Sequence, residues 1–521
     1  MTKQSFLKGT LILLAAGILN RILGFIPRMT LPRFIGAEGV GLYQMGWPFL
    51  IVILTLITGG IPLAVAKLVA EAEAEHNEKR SRSILKISLA LSMLLAALFT
   101  LLCLISAKWI STHILTDSRV YETFLCMTPI IPMAAVSSVF RGYFQGKQNM
   151  IPTAISQTVE TMVRIVFVLI FAYLMLPYGI PMAAAGAMVG VLTGEVCGML
   201  VLIFHYNNKK QREGGGLKAH IGTSQTGNRL SNLRKILRIS IPVTLSKLVG
   251  ATSYLFESIL LTQSLLLAGI STSVATAQYG VLQGMILPIL LLPSALTNSL
   301  SVSLIPSLSA ALARKDTVTI HKRLNQALRL ALITGAPFAV LMFVLAEPIC
   351  SLMYKDPNIA VMLKMMAPIA LFIYLQAPLQ AALQALDKPG NALVNTLVGS
   401  IVKLGLIYFL ASRPEMGILG AIMAININIV LVTLLHAATV MKTVRFTLEG
   451  GDFLKVGLSM LLTGSGIYLS TLAFAGQKLF VLFLLSASLG LVLYLLALIA
   501  LGLLHVRDFS RILHMGKNLI K

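Results

Sequence analysis

Five lysines and arginines lie inside segments that are long and apolar enough to cross a membrane, and such cations can bind anions. They are Arg21, Arg28, Arg164, Lys247 and Lys403. A cation at the centre of an isolated spanning helix costs roughly 2.5–3.5 kcal/mol on insertion scales, so we do not expect these side chains to face lipid. We expect them to line a shared polar interior through which an anion passes.

The first of these segments carries two arginines on one face. Arg21 and Arg28 are seven residues apart, with Gly24 between them. Pro27 removes a backbone hydrogen bond next to Arg28 and should kink the helix there. A bent helix of this kind can present two guanidinium groups to a pyrophosphate, which arginine binds with paired hydrogen bonds. The alternative for Arg28 is that it extends towards the lipid headgroups.

Two later cations differ in whether an acidic residue precedes them by one helical turn. Glu160 precedes Arg164 by four residues, the spacing and order that favour an ion pair on a helix. The pair is either a self-neutralising structural feature or a site where Glu160 releases Arg164 when a substrate or ion arrives. Lys403 has Gly399 at the corresponding position, so we expect it to face an aqueous cavity.

Two further acids lie within apolar segments. Glu195 is half-way along one segment and Glu257 lies well inside another. Each either pairs with a cavity cation or binds a coupling proton or sodium ion.

The elements that position these residues are membrane-spanning helices. The 521 residues are 57% hydrophobic and 12% charged, with a mean hydropathy of +0.86. Both values differ from those of an ordinary soluble domain and indicate an all-α polytopic membrane protein. Fourteen apolar segments are predicted: 8–33, 41–70, 84–108, 122–141, 152–176, 181–206, 238–266, 274–306, 325–350, 358–386, 391–411, 416–441, 454–475 and 478–504.

The net charge of +23 reflects topology rather than nucleic-acid binding. Lysines and arginines concentrate in alternate loops, and the positive-inside rule then places both termini in the cytoplasm of a multi-pass cell-membrane protein. The N-terminal basic residues and apolar run lack a convincing cleavage site before Arg21, so we expect a retained first span rather than a signal peptide.

The chain divides into two similar halves. We predict an N-terminal lobe of six helices over 1–206, a cytoplasmic linker over 207–237, and a C-terminal lobe of six helices over 238–441. Accessory helices 13 and 14 and a cytoplasmic tail occupy 442–521. An even number of helices gives both lobes the same orientation, and substrate sites in repeat-built transporters lie at the repeat interface.

Short motifs carry the repeat. LNRILG ends at Gly24 and LSKLVG ends at Gly250, so Arg21 corresponds to Lys247. Gln145 and Arg164 correspond to Gln384 and Lys403, and Gly186-Ala187-Met188 resembles Gly420-Ala421-Ile422-Met423. We expect Gly24, Pro27 and Gly250 to act in helix kinking or packing.

Enzyme motifs are absent from the sequence. The run GYFQGKQ, from Gly142 to Gln148, is one residue too short for a phosphate-binding loop, and no HExxH or paired-carboxylate site occurs. The four cysteines form no CxxC, so neither a metal site nor a disulfide framework is expected. The sequence predicts a transporter without a cofactor.

Three motifs resemble a known family. NRILGFIPRMTLPRFIGAEGVGLY (20–43), RGYFQGKQNM (141–150) and the Glu160–Arg164 pair are similar to the polysaccharide-transport branch, which includes sporulation proteins, of the superfamily of multidrug extruders and lipid II flippases. The resemblance covers essentially the whole chain. It implies fourteen helices, with two six-helix lobes around a central cavity and two additional C-terminal helices.

The resemblance also implies a function. It is alternating-access movement of an undecaprenyl-pyrophosphate-linked saccharide, a lipid II-type peptidoglycan precursor for the spore cortex. Membrane potential or a coupling ion, H⁺ or Na⁺, would drive it, and membrane lipids and cortex-synthesis enzymes would be its partners. Cavity arginines on the first helix are essential in lipid II flippases. Arg21 matches one of them, whereas Pro27 and Arg28 stand where those flippases often carry an Arg-Asp pair.

Two alternatives remain open at the level of sequence. One is a cation-coupled multidrug extruder, which would favour an acidic rather than a cationic cavity. The other is a scaffold that recruits cortex-building enzymes without transporting anything.

Overall fold

The computed structural model describes the backbone of residues 6–214, 229–445 and 450–504. It describes the side chains of 16–17, 19–20, 22–208, 230–445 and 450–504. Over these ranges the chain is helical and contains no β-strand. The helices are α1 Phe6–Met45, α2 Trp47–Thr58, α3 Ile61–Ala74, α4 Glu78–Trp109, α5 Tyr121–Met127, α6 Ile130–Gly146, α7 Ile151–Met175, α8 Ile180–Gly214, α9 Arg229–Leu267, α10 Thr272–Gly280, α11 Leu287–Leu291, α12 Ser294–Ala313, α13 Thr317–Val344, α14 Ala346–Tyr354, α15 Ala360–Met366, α16 Ala370–Ala385, α17 Pro389–Ala411, α18 Gly417–Val444, α19 Gly450–Ala473 and α20 Leu479–Ala500.

Helices are expected because the hydrocarbon core of a membrane offers no water to backbone polar groups, and a helix satisfies them internally. Local signals set several helix starts. The Asn77 side chain accepts a hydrogen bond from the backbone N–H of Arg80 at 2.9 Å and begins α4. Asp316 does the same for α13 through Thr319, and α2, α3 and α7 each have a proline in the first turn.

Fourteen stretches of the described residues are long and apolar enough to cross a membrane. The predicted number of spans is therefore confirmed, although the assignment differs in two places. Ile22–Ala74 forms one continuous stretch that includes residues 22–33 of the first predicted span and all of the second. The predicted eighth span is divided between Thr272–Leu291 and Ser294–Ala313, because the helix is interrupted next to Pro293.

α1 bends at a glycine. Gly36 has φ 69° and ψ −179°, a backbone conformation that essentially only glycine adopts, and it is the one residue of α1 with non-helical dihedral angles. Pro27 and Pro32 both lie inside the helix. The kink that the sequence predicts next to Pro27 stays a prediction, whereas the dihedral break lies nine residues further on.

The helices form two compact units. The first unit contains residues Met1–Met285 and Ala411–Gly417, and the second contains Ile286–Leu410 and Ile418–Lys521. α8 continues to Gly214 and α9 begins at Arg229, so both ends of the predicted 207–237 linker are helical. The middle of that linker lies outside the described residues, and the division into two six-helix lobes stays a prediction.

Each unit has its own apolar core. In the first unit, α3, α4, α6, α8 and α9 bury a cluster that includes Val65, Leu85 and Phe144. In the second unit, α12, α13, α16 and α20 contribute to a cluster that includes Leu308, Leu332 and Leu379. These cores fix the helices that carry the charged residues.

Candidate functional site

The structure describes the surroundings of the predicted glycines but not the side chain of the first predicted arginine. Arg21 is on α1, but its side chain lies outside the described residues. A Cβ atom added at Gly24 or Gly250 would meet no described atom within 4 Å. Neither glycine is therefore in close contact with a described residue, and the kinking or packing role predicted for them stays a prediction.

Two arginines from different helices lie within electrostatic range of one tyrosine. Arg28 of α1 is exposed, and Arg164 of α7 has a side chain that is 32% exposed. The hydroxyl group of Tyr43 lies within electrostatic range of both guanidinium groups. The structure thus brings together two of the five predicted cations around a tyrosine.

Arg28 also belongs to a second polar group. The hydroxyl group of Tyr254 on α9 lies within electrostatic range of both Arg28 and Glu257. Glu257 is buried, and its carboxylate accepts a hydrogen bond from Nε2 of Gln283 at 3.3 Å. The predicted acid is therefore near a predicted cation, with Tyr254 as their common neighbour.

The ion pair predicted between Glu160 and Arg164 is confirmed, and it has a third member. Arg164 Nη2 donates to Glu160 Oε1, while Arg141 Nη2 of α6 donates to Glu160 Oε2 at 2.6 Å. Glu195 of α8 is 8% exposed and interacts electrostatically with all three residues. Two guanidinium groups and two carboxyl groups therefore share one small region, which we call the α7 charge cluster.

A glycine stripe on α8 allows this cluster to form. Gly186, Gly190, Gly194 and Gly198 recur every fourth residue and face α7. A Cβ at Gly194 would lie 2.9 Å from Arg164 Cβ, and one at Gly198 would lie 3.0 Å from Glu160 Cβ. Small residues let membrane helices approach closely, so α8 presses its backbone against the ion pair.

Lys247 lies next to a break in the second predicted span. Its Nζ donates to the carbonyl oxygen of Gly59 at 2.7 Å, just after the end of α2. Carbonyl groups at a helix C-terminus carry partial negative charge, so this contact orients the ammonium group. The side chain remains exposed and retains two further donors for another acceptor.

Lys403 has a different environment. It is only 8% exposed and is engaged in an interaction within the described chain. The expectation that Lys403 is locally uncompensated and faces an aqueous cavity is therefore wrong for this structure. A buried ammonium group requires a partner, because an unpaired buried charge is costly.

A polar contact joins α1, α10 and the segment before α5. Buried Asp117 accepts hydrogen bonds from Thr276 Oγ1 at 2.7 Å and from Arg119 Nη2 at 2.8 Å, and Arg119 also pairs with Glu38. Burial tends to raise the pKa of Asp117, but these hydrogen bonds outweigh it and the pKa is lowered. We call Glu38, Asp117, Arg119 and Thr276 the α1–α10 clasp.

The helices held by this clasp touch through glycines. A Cβ at Gly41 would overlap the Thr276 carbonyl group, and a Cβ at Gly280 would overlap the Ala37 carbonyl group. Thr116 donates to Thr262 at 2.8 Å next to the clasp. α1 and α10 are therefore in backbone contact at the end that the charge distribution predicts to be outside.

Sequence reasoning missed Arg141 and Tyr43 as members of the site. Arg141 had the position of a loop cation at the end of a span, and its partner Glu160 is nineteen residues away. The glycine spacing on α8 was a usable signal, because it predicts which face of that helix receives α7. Among the described residues no group of three histidine, cysteine, aspartate or glutamate side chains could hold a metal ion.

Comparison with known proteins agrees with this architecture. A family model described as polysaccharide biosynthesis protein matches residues 6–312, and a second model, MatE, matches residues 250–409. Stage V sporulation protein B of Bacillus subtilis (strain 168) is 45% identical over 449 residues, which are 86% of each chain. The resemblance that the sequence motifs indicated is thereby confirmed.

Two lipid II flippases are more distant. The lipid II flippase MurJ of Bacillus subtilis (strain 168) is 25% identical over 420 residues, 77% of this chain and 76% of that protein. A solved structure of lipid II flippase MurJ in an inward closed conformation superposes with a TM-score of 0.72 at 18% identity, covering 95% of this chain and 99% of that one. This likeness shows the fold.

The fold and the charged groups within its spans define a multi-pass helical membrane protein with the architecture of flippases and multidrug transporters. Within that class, the chain belongs to the polysaccharide biosynthesis protein family.

Proposed function

We propose that this protein is a flippase for an anionic lipid-linked oligosaccharide. The observation that carries the proposal is that Arg28 and Arg164, inside helices of a membrane protein, both lie within electrostatic range of Tyr43. Guanidinium groups bind phosphate with paired hydrogen bonds, and a pyrophosphate can engage two of them. The similarity to Stage V sporulation protein B and to lipid II flippase MurJ supports the same substrate class.

The proposed substrate is an undecaprenyl-pyrophosphate-linked saccharide, with the lipid II-type precursor of spore cortex peptidoglycan as the first to test. Arg21, Arg28, Arg164 and Lys247 would attract the headgroup, while the polyprenyl tail stays in the lipid. Membrane lipids and cortex-synthesis enzymes would be its partners. With both termini in the cytoplasm, the headgroup would move from the basic side of the protein to the other side.

Alternating access supplies the movement in this proposal. The membrane potential contributes roughly 2.3 kcal/mol per charge per 100 mV and favours outward transfer of an anion. A coupling ion, H⁺ or Na⁺, bound at Glu195 or Glu257 is the other candidate driving force. The headgroup can leave between α1 and α10 only if the α1–α10 clasp opens, so its ion pairs and glycine contacts would separate during each cycle.

Reconstitution tests the proposal. Full-length protein in vesicles is given a fluorescent lipid II analogue, with and without an imposed potential, and the analogue that changes leaflet is measured by external quenching. We expect potential-stimulated flipping that falls at least about tenfold in Arg21→Ala and Arg164→Gln. Absence of flipping by the wild type with this and other lipid-linked saccharides would contradict the proposal, and undiminished flipping in Arg21→Ala would remove Arg21 from the site.

Arg82→Gln is a matched control. Arg82 pairs with Glu78 at 3.1 Å with the same four-residue spacing as Arg164 and Glu160, but both side chains are exposed. Exposed pairs contribute little, so this variant should flip lipid at the wild-type rate.

A second candidate is a cation-coupled multidrug extruder, favoured by the match of residues 250–409 to the MatE model. Expression in a drug-sensitive strain separates the two functions, because an extruder raises the tolerated concentration of organic cations and a lipid flippase does not. A non-transporting scaffold would retain its activity in sporulation after Arg28 and Arg164 are both changed to glutamine.

A further inference from the structure

The carboxylate group of Glu160 is shared between two arginines from neighbouring helices. Its Oε2 accepts from Arg141 on α6 at 2.6 Å, and its Oε1 accepts from Arg164 on the same helix. The Glu160 side chain is 11% exposed, whereas that of Arg164 is 32% exposed. Glu160 is thus the inner member of the group, and Arg164 is the more exposed of its two partners, at 32% against 25% for Arg141.

The position of Glu160 is restricted by α8. Gly198 lies so close that an added Cβ would be 3.0 Å from Glu160 Cβ and 3.4 Å from Oε2. The Ser156 hydroxyl group donates to the Gly198 carbonyl group at 2.8 Å and joins the two helices at this level. The carboxylate therefore cannot follow Arg164 far, and any rearrangement must come from the guanidinium group.

Both arginines retain donor capacity. Nε of Arg164 and Nε of Arg141 are buried, and neither has a hydrogen-bond partner within the described part of the chain. A guanidinium group has five N–H donors in a fixed fork, and a buried donor without a partner costs free energy. Because both Nε atoms are buried, a second anion at the exposed side of Arg164 would bind the terminal Nη donors.

We propose that Glu160 pairs with Arg164 in the absence of substrate and that the substrate phosphate replaces it there. Arg141 is the positioning residue that makes this exchange of partners possible. This inference rests on the proposed function. When the anionic headgroup arrives, Arg164 transfers from Glu160 to the phosphate, and Glu160 keeps Arg141 as its partner. Without Arg141 the same transfer would leave a buried carboxylate unpaired, which is strongly unfavourable.

Glu195 acts on this exchange from α8. It interacts electrostatically with Arg141 and Arg164 as well as with Glu160. In its ionised form Glu195 would attract the guanidinium groups towards α8 and oppose the transfer of Arg164. The exchange is therefore a competition between two fixed carboxyl groups and one mobile phosphate.

Binding of inorganic pyrophosphate to the purified full-length protein, measured by calorimetry, tests the inference. We expect Glu160→Gln to bind about tenfold more tightly than wild type, because the competing carboxylate is absent. Arg141→Gln should bind about tenfold more weakly, because the Glu160 carboxylate would lose its last ion-pair partner when Arg164 transfers. The double variant Arg141→Gln/Glu160→Gln should recover the affinity of Glu160→Gln, since it has no carboxylate at position 160 that needs a partner.

The double variant distinguishes positioning from a merely structural role. If Arg141 only supports folding, the double variant will bind as weakly as Arg141→Gln, and that result would overturn the inference. Arg141→Lys keeps the charge and should bind within about threefold of wild type. Thermal unfolding of each variant shows whether a loss of affinity reflects a loss of fold. If Arg141→Gln does not fold, Glu160→Gln alone tests the exchange, and binding no tighter than that of wild type would overturn it.

Lipid flipping by the same variants separates this inference from the proposed function. Half-saturating concentrations of the fluorescent lipid should follow the order of pyrophosphate affinity. If pyrophosphate binds in the expected order but the wild type flips no lipid-linked saccharide, the proposed function fails and the anion site remains. If the wild type flips lipid but the double variant shows no recovery, the exchange at Glu160 fails and the flippase function stands.

Discussion

The contact between α7 and α8 in the first unit has a counterpart between α17 and α18 in the second, with large and small side chains exchanged. In the first unit, Glu160 of α7 packs against Gly198 of α8. In the second unit, Gly399 of α17 packs against Val432 of α18. Gly399 follows Glu160 by 239 residues, as Lys403 follows Arg164, and Val432 follows Gly198 by 234, as Gly420 follows Gly186.

This exchange changes the environment of the cation four residues further along the helix. In the first unit, the carboxylate projects from α7 beside Arg164, which remains partly exposed. In the second unit, Val432 and Asn428 occupy the space in front of Gly399, and Lys403 is buried. At matching positions, the first unit thus has a partly exposed cation, Arg164, and the second unit has a buried one, Lys403. We therefore expect the two cations to have unequal roles in transport.

The largest expected effect is on the free energy of unfolding, and it comes from placing large residues on both α7 and α8 at their contact. Gly198→Val places a β-branched side chain against Glu160, and overpacking of this kind costs about 2 kcal/mol of unfolding free energy. In a Glu160→Ala background the same change should cost about 1 kcal/mol less, because the opposing side chain is short. Denaturant unfolding in micelles measures both. Gly457→Val, where a Cβ meets no described atom within 4 Å, is the control; equal costs in both backgrounds would refute the contact.

The next effect is on lipid affinity and concerns the partly exposed cation, Arg164. Arg164→Gln removes the guanidinium group that pairs with Glu160 and faces Tyr43, so the half-saturating lipid concentration should rise about tenfold, or ~1.4 kcal/mol. Titration of the fluorescent lipid in vesicles measures this value. A change no larger than that of Arg82→Gln would remove Arg164 from the substrate path.

A smaller effect is expected at Glu195. Glu195→Gln removes a charge that competes with the phosphate for Arg164, so pyrophosphate should bind about threefold more tightly, or ~0.7 kcal/mol. Calorimetry at constant ionic strength measures the change. Weaker binding would show that Glu195 assists the anion rather than opposing it.

The smallest effect on substrate affinity is expected at Lys403. Lys403→Gln should change the half-saturating lipid concentration by less than about twofold, while thermal stability decreases because a buried interaction is lost. Flipping and thermal unfolding of the same preparation are compared with those of Arg164→Gln. Equal losses of lipid affinity in the two variants would show that the cations are functionally equivalent despite their different burial.

The sequence was sufficient for the helical class, the number of spans and the Glu160–Arg164 pair. Each of these depends on local signals, namely apolar length and a four-residue spacing. It was not sufficient for Arg141, because a contact between residues nineteen apart depends on how α6 and α7 cross. Nor could it indicate that Lys247 binds the Gly59 carbonyl group, since every backbone carbonyl has the same chemistry and only the break after α2 makes this one available.

Close packing and burial depend on the neighbouring helix, which matching motifs do not show. The glycines in close contact are those that face another helix, such as Gly41 against the backbone of Thr276 and Gly198 against the side chain of Glu160. Lys403 was expected to face water because no acid precedes it by one helical turn. Burial depends on the surrounding helices, and Lys403 is 8% exposed although no acid precedes it by one turn.

The central claim is that Glu160 competes with the substrate for Arg164. The most direct test is the half-saturating concentration of the fluorescent lipid in wild type, Glu160→Gln and Arg164→Gln, measured in one vesicle preparation at one imposed potential. We expect the lowest value for Glu160→Gln, an intermediate value for wild type and the highest for Arg164→Gln. A value for Glu160→Gln as high as that for Arg164→Gln would contradict the account, because it would show that the pair acts only as a structural unit.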